Sequence, residues 1–185
     1  MEDKSMNAKK SVLLQLVVSA LVLLLSGCAA SKQPLLLAPD FRDAGIRTIH
    51  VPPVSFDPRY EPPYDINLDR ELRQRLGTVL ASKGYAADLT AGGVVPSDAT
   101  LLVHVDFLFI SETLADRNPP PVIDIEAAAH LVSTKDGREL WRDRGGGRVG
   151  GTGGSRIFYP TADRYLAISL LADHLLASLP GAGGR

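Results

Sequence analysis

Every second residue from Leu101 to Phe109 is apolar (Leu101, Val103, Val105, Phe107, Phe109), and the same holds from Ile123 to Leu131 (Ile123, Ile125, Ala127, Ala129, Leu131). A period of two sends successive side chains to opposite faces of a strand, so each stretch reads as a strand that buries its odd-numbered residues. Asn118-Pro119-Pro120-Pro121 separates the two, and prolines, lacking an amide hydrogen, cannot continue a ladder. After the second stretch, Asp136-Gly137 supplies a hairpin turn into a return strand over Arg138–Arg144 that carries Leu140 and Trp141. Three successive antiparallel strands with one apolar face need a cover, and the rest of the chain has to provide it.

That cover reads as two helices. Leu68, Leu72, Leu76, Val79 and Leu80 recur at helical spacing, Asp65 or Asn67 can cap the start, and Gly84 stands where a helix end favours a left-handed residue. On the outer side Asp69 to Arg73 and Glu71 to Arg75 are acid-first pairs four apart, each worth roughly 0.3 kcal/mol. Ile168, Leu171, Ala172, Leu175 and Leu179 mark a second helix, with Thr161 as its cap and Pro180 as its stop. Residues 181–185 beyond it are expected to fray. Ahead of the first helix, Arg47–Val51 reads as a short strand stopped by Pro52-Pro53, then a loop holding Pro58, Pro62 and Pro63. The order β-α-β-β-β-α predicts an α+β fold, a two-layer sandwich of about four mostly antiparallel strands with two helices on one face.

The N-terminus concerns address rather than fold. Lys4, Lys9 and Lys10 precede fifteen uncharged residues, Ser11–Leu25, dominated by Val and Leu. A permanent membrane span needs about 20 apolar residues, so this stretch reads as an export signal. Met6 offers an alternative start that leaves the pattern intact. Leu25-Ser26-Gly27-Cys28 follows, and these four residues resemble the recognition box of bacterial lipoprotein precursors. The resemblance implies cleavage before Cys28 and acyl chains on its thiol; with each buried methylene adding about 0.8 kcal/mol, three chains make an essentially permanent anchor. Ala29 after the cysteine, rather than Asp, implies by the sorting rule of that group the outer membrane, with the domain facing the periplasm. The expected layout is residues 1–27 signal, 28–45 lipidated cysteine and flexible tether, 46–180 one α+β domain and 181–185 a disordered tail.

Composition narrows the function. Cys28 is the chain's one cysteine, so once acylated it leaves no thiol for a disulfide or a metal site. Twenty basic against 21 acidic side chains give a net charge of −1, without the basic excess that nucleic-acid binders carry. Leu131-Val132, Asp136-Gly137 and Leu140-Trp141 resemble the "Leu-Val-Asp, turn Gly, Leu-Trp" hairpin of small Gram-negative envelope lipoproteins related to the TolB N-terminal-like and curli-secretion lipoprotein folds. Pro52-Pro53 and Lys83-Gly84-Tyr85 fall at comparable places, although Ser133 stands where that hairpin has an acid. The resemblance spans Arg47–Arg144. It implies an envelope assembly or accessory role and supplies no catalytic residues.

Several constellations invite chemistry. Gly145-Gly146-Gly147-Arg148-Val149-Gly150 has G-x-G-x-x-G spacing, but the next helix begins too far on to receive a pyrophosphate, and with Gly151, Gly153 and Gly154 the stretch reads as a mobile loop. His104, Asp106, Asp124, Glu126 and His130 share the face opposite the core, where a divalent metal or acid–base work is the sharp reading and an ordinary wet face the simpler one. The same face is expected to hold Leu102, Leu108, Ile110 and Val132, more apolar surface than water alone needs, and so a surface for another envelope protein or a second copy. Arg138, Arg142, Arg144, Arg148 and Arg156 cluster in sequence; phosphate or carboxylate ligands are conceivable, and a charged edge strand is the plainer account. Trp141 beside Leu140 is more often core than a sugar platform. No nucleophile elbow or zinc-type helix motif occurs. The expectation is a non-enzymatic binding or accessory lipoprotein without a cofactor. The alternatives are a lipid- or glycan-binding auxiliary of an envelope transporter and, behind it, a metal-dependent enzyme on the His/Asp/Glu face.

Overall fold

The computed structural model describes residues 34–60, 67–92, 96–111, 122–150 and 160–183. Among these, strands β1 (Leu36–Leu37), β2 (Thr48–His50) and β3 (Ser55–Phe56) are followed by helix α1 (Leu68–Ser82), then β4 (Ala86–Asp88), β5 (Ala99–Ser111), β6 (Val122–Ser133), β7 (Glu139–Gly150) and helix α2 (Pro160–Leu175). The strands form one mixed sheet in the order β1-β7-β6-β5-β2-β4, with β3 also against β5. The fold is α+β, as the pattern predicts, but with seven strands in place of four. The three extra ones, β1, β3 and β4, have two or three residues each, too few to carry a periodic signal.

The long antiparallel trio is the frame. Leu101 faces Leu131 across β5 and β6, and Leu131 faces Trp141 across β6 and β7. Against the other edge of β5 lies a broken parallel strand: β2 pairs at Ile49 with Ala99, Pro52-Pro53 interrupts, and β3 resumes at Phe56 with Val105. The two prolines stop the ladder as expected, because neither has an N–H to donate. α1 then carries the chain back to β4, which lies parallel to β2.

α1 starts where Asn67 Oδ1 accepts the Arg70 amide hydrogen at 2.9 Å, a cap worth ~1 kcal/mol. Leu68, Leu72, Leu76 and Leu80 form its buried stripe, and Gly84 at φ +89° closes it. Of the two ion pairs expected on its surface, Asp69 and Arg73 meet at 2.9 Å, while Glu71 takes Arg70 at 3.0 Å instead of Arg75. α2 packs over β6 and β7 and beside α1; capping by Thr161 lies outside the described side chains.

Glycine governs how closely α2 approaches. A Cβ on Gly147 would stand 1.9 Å from the Ala167 carbonyl oxygen, and one on Gly145 would stand 2.6 Å from Leu175 Cα. Residues 145–150, expected to be a mobile loop, are therefore the second half of strand β7, kept bare so that a helix backbone can lie on it. The rest of that stretch, 151–154, lies outside the described residues. Just past the C-terminal end of α2 a polar chain ties the helix to β7: Trp141 Nε1–H donates to Ser178 Oγ at 3.2 Å, and the half-buried Ser178 O–H donates to buried Asp143 at 2.5 Å. Trp141 is fully buried, as its place beside Leu140 implies.

Both expected boundaries of the domain move outward. The segment read as a tether up to residue 45 supplies β1, buries Ala38 and Phe41, and sets Asp40 against Arg138 in a two-pronged pair at 2.8 and 2.6 Å. The domain thus begins by Leu36, where two residues pair with the edge of β7 at Trp141 and Arg142. At the other end, the tail expected to fray from Gly181 is tied down as far as Ala182. The Ala182 amide donates to the Lys83 carbonyl at 2.8 Å, Lys83 Nζ donates to the Leu179 carbonyl at 2.8 Å, and the Tyr85 hydroxyl donates to the Pro180 carbonyl at 2.6 Å. Burial pushes the Tyr85 hydroxyl up to about 12 and moves the Lys83 ammonium below its ordinary value.

Candidate interface on the open face of the sheet

Asp106 decides what this face is made of. The pairing of β5 with β6 shifts register between Val105 and Phe107, so Val105 faces Ala127 and Phe107 faces Glu126, with Asp106 as the extra residue of a bulge. One inserted residue exchanges the two faces of everything beyond it. Leu108, placed by alternation on the outer face, is therefore buried at 8% exposure, and Ile110 packs against the core. Phe107 and Phe109 take their places outside, and Phe109 is 47% exposed. Of the four residues expected to form a partner surface, Leu102, at 47% exposure, and Val132 remain on the open face, while Leu108 and Ile110 leave it. The sequence signal was ambiguous here because Phe107-Leu108-Phe109-Ile110 is apolar at every position, so either register satisfies the pattern.

The polar residues of this face pair across strands. Arg144 meets Asp106 at 2.8 Å, Arg148 meets Asp124 at 3.3 Å, and Glu139 lies 2.5 Å from His130 Nδ1 and 3.8 Å from Arg142. The sequence-clustered Arg142, Arg144 and Arg148 thus form a basic column on β7, with Arg144 and Arg148 beside acids of β5 and β6 and Arg142 beside Glu139 of its own strand; Arg138 turns to Asp40, and Arg156 lies outside the described residues. At the rim, the Phe107 ring meets Tyr60 edge to face with centroids 5.5 Å apart, and the Arg59 guanidinium holds the Asp57 carboxyl down to about 2.

Among the described residues, no group of three or more His, Cys, Asp or Glu side chains is disposed to hold a metal ion, so the five residues His104, Asp106, Asp124, Glu126 and His130 are not brought together. Ser55, His104 and Asp106 do stand in Ser-His-Asp order, with Ser55 Oγ 2.9 Å from His104 Nδ1. Asp106 is 3.8 Å from the other ring nitrogen, too far for a hydrogen bond, and its second oxygen is engaged by Arg144. Ser55 also donates to the Val103 carbonyl at 3.3 Å.

No protein-family profile matches this chain, and no curated protein sequence does. Solved structures do. The PelC dodecamer from Paraburkholderia phytofirmans superposes with a TM-score of 0.51 at 14% identity, over 81% of this chain and 96% of that one; a variant of it gives 0.53. Lipoprotein GNA1162 from Neisseria meningitidis matches with a TM-score of 0.44 at 20% identity, over 59% of this chain and 88% of that one. Bacterial lipoproteins are among the structural neighbours, and at these identities the likeness is one of fold.

Proposed function

We propose that this chain is an outer-membrane lipoprotein, anchored by acyl chains on Cys28 with its domain in the periplasm, that works by binding within an envelope assembly, secretion or transport system and catalyses no reaction. The observation that carries the reading is Leu25-Ser26-Gly27-Cys28 behind a basic leader and a short apolar run, supported by a fold found in bacterial lipoproteins. Radiolabelled palmitate fed to a Gram-negative host should enter the wild-type chain and fail to enter Cys28→Ala, which should also leave the membrane fraction. An unlabelled wild type would end the proposal.

The partner we favour is a second copy of the chain. Leu102, Phe107, Phe109 and Val132 supply apolar contact on the open face, and the basic column of β7 lies beside the acids of β5 and β6, so a second copy suitably turned meets opposite charge. The solved PelC structures are dodecamers, which adds weight to self-association. Native mass spectrometry of the acylated chain in detergent should find an oligomer that Leu102→Glu with Phe109→Glu reduces to monomer. A wild type that is monomeric at micromolar concentration would leave a different envelope protein as the partner.

A further inference from the structure

A second surface stands apart from the open face. A groove of about 550 Å³ runs between the turn that follows β1 and the C-terminal latch, lined by Phe41, Arg42, Arg47, Thr48 and Tyr85 and by backbone of Gly84 and Gly181–Gly183. No acidic side chain lines it, in a chain that carries more acids than bases. Arg138, Arg142, Arg144 and Arg148 of the long hairpin each lie against a carboxylate, whereas among the described residues neither Arg42 nor Arg47 is in an ion pair. Asp98, which feels the charge of Arg47, directs its Oδ2 to the backbone N–H groups of Arg47 and Thr48, both at 2.9 Å. It lines the neighbouring groove instead.

We propose that this groove binds a phosphate group, with Arg42 and Arg47 as its ligands. A guanidinium presents a planar fork of donors that matches phosphate oxygens in pairs, and two forks on one concave wall hold a single anion better than either alone. Thr48 adds a hydroxyl. Buried Phe41 and Tyr85 give the same groove a carbon wall, suited to the glycerol or sugar that bears the phosphate. The groove keeps its shape because the tail is held: Ala182 bonds to Lys83, and Tyr85 bonds to Pro180.

The phosphate can belong to a lipid headgroup or to a soluble ester, and one titration separates them. Acylated chain purified in a neutral detergent is titrated with dihexanoyl phosphatidylglycerol and with glycerol 3-phosphate, against glycerol as the neutral control, by calorimetry. Binding of the lipid alone assigns a headgroup site, and binding of glycerol 3-phosphate alone assigns a soluble ligand. Arg42→Gln with Arg47→Gln should weaken whichever binds by about tenfold or more, since hydrogen bonds to charged groups are the strong ones. Arg42→Lys with Arg47→Lys, which keeps charge without the fork, should fall between. Both variants change exposed side chains and should melt with the wild type. Saturation by neither phosphate, equal binding of glycerol, or undiminished binding by the glutamine variant overturns the proposal. Palmitate labelling fails or succeeds separately, so loss of the anchor and loss of this site are told apart.

Discussion

The two faces of the β5–β6–β7 sheet come from the same three strands and obey opposite rules. Toward the helices, the residues of β7 are Trp141, Asp143, Gly145, Gly147 and Val149, and at Gly145 and Gly147 the backbone of α2 lies so close that a Cβ would collide with it. Toward water, the intervening residues include Arg142, Arg144 and Arg148, whose partners are side chains with room to move. The inner face specifies one structure, and the outer one leaves a surface free to be recognised. The sharpest way to break this contrast is a methyl group on alternate glycines. Gly147→Ala drives a Cβ into the Ala167 carbonyl and the Leu171 amide, neither of which yields without moving α2. It should cost ~3 kcal/mol or more, the upper end of ordinary overpacking. Gly146→Ala, pointing the other way, meets nothing nearer than 3.5 Å and should be neutral or stabilising by ~0.5 kcal/mol. Equal urea midpoints for the two variants would contradict the packing described.

The polar chain at the C-terminal end of α2 is the next lever. Ser178→Ala leaves the indole N–H of fully buried Trp141 without its acceptor and takes one donor from Asp143. A buried unsatisfied group costs ~1–3 kcal/mol, so a loss near 2 kcal/mol is expected by urea denaturation. Trp141 fluorescence should report the same transition as far-ultraviolet circular dichroism; a loss confined to the fluorescence would mean that the chain is a local feature.

The latch at Tyr85 is weaker and reads out by pH. Its hydroxyl is held neutral in the fold up to about 12 against an ordinary 10.0. A raised folded value means that the contribution is complete below pH 10 and is lost as pH rises from there through the folded value. Tyr85→Phe removes the bond to Pro180, should cost ~1 kcal/mol at neutral pH, and should flatten the alkaline decline of stability between pH 10 and 12. A variant that declines as steeply as wild type would assign the alkaline effect to another group.

What the sequence discloses follows the length of its signals. Two of the three long strands and both helices are legible because Leu101–Val105, Ile123–Leu131, Leu68–Leu80 and Ile168–Leu179 repeat their pattern often enough to fix a period, while the third strand is legible only as far as Arg144. The swap of Leu108 and Ile110 for Phe107 and Phe109 is not, because a bulge is one residue of tertiary pairing inside a run that is apolar at every position. Gly145 and Gly147 lack side chains to show a period; their alternation with Val149, continuing Trp141 and Asp143, is the signal that places them in a strand. The burial of Ala38 and Phe41 goes with β1 pairing on an edge of β7 that the sequence does not reveal to be open. The anchor at Cys28 is legible because it is local chemistry. Arg42 and Arg47 are conspicuous only once Arg138, Arg142, Arg144 and Arg148 have found their acids.

The smallest effect tests the outer face directly. Arg148 and Asp124 meet at 3.3 Å with the arginine side chain 61% exposed, so solvent screens the pair and Arg148→Ala should cost less than ~1 kcal/mol in the isolated monomer. That bound holds only while the face is wet. If a second copy covers it, the pair is drawn out of water, and removing one partner leaves the other charge buried and unpaired, a penalty of a different order. Melting of Arg148→Ala against wild type in detergent, once at a concentration where the chain is monomeric and once where it is assembled, therefore distinguishes a solvated face from a docked one. A difference that grows on assembly places Arg148 in the contact. A difference that stays below ~1 kcal/mol at both concentrations keeps the hairpin arginines in water and moves the contact elsewhere on the molecule.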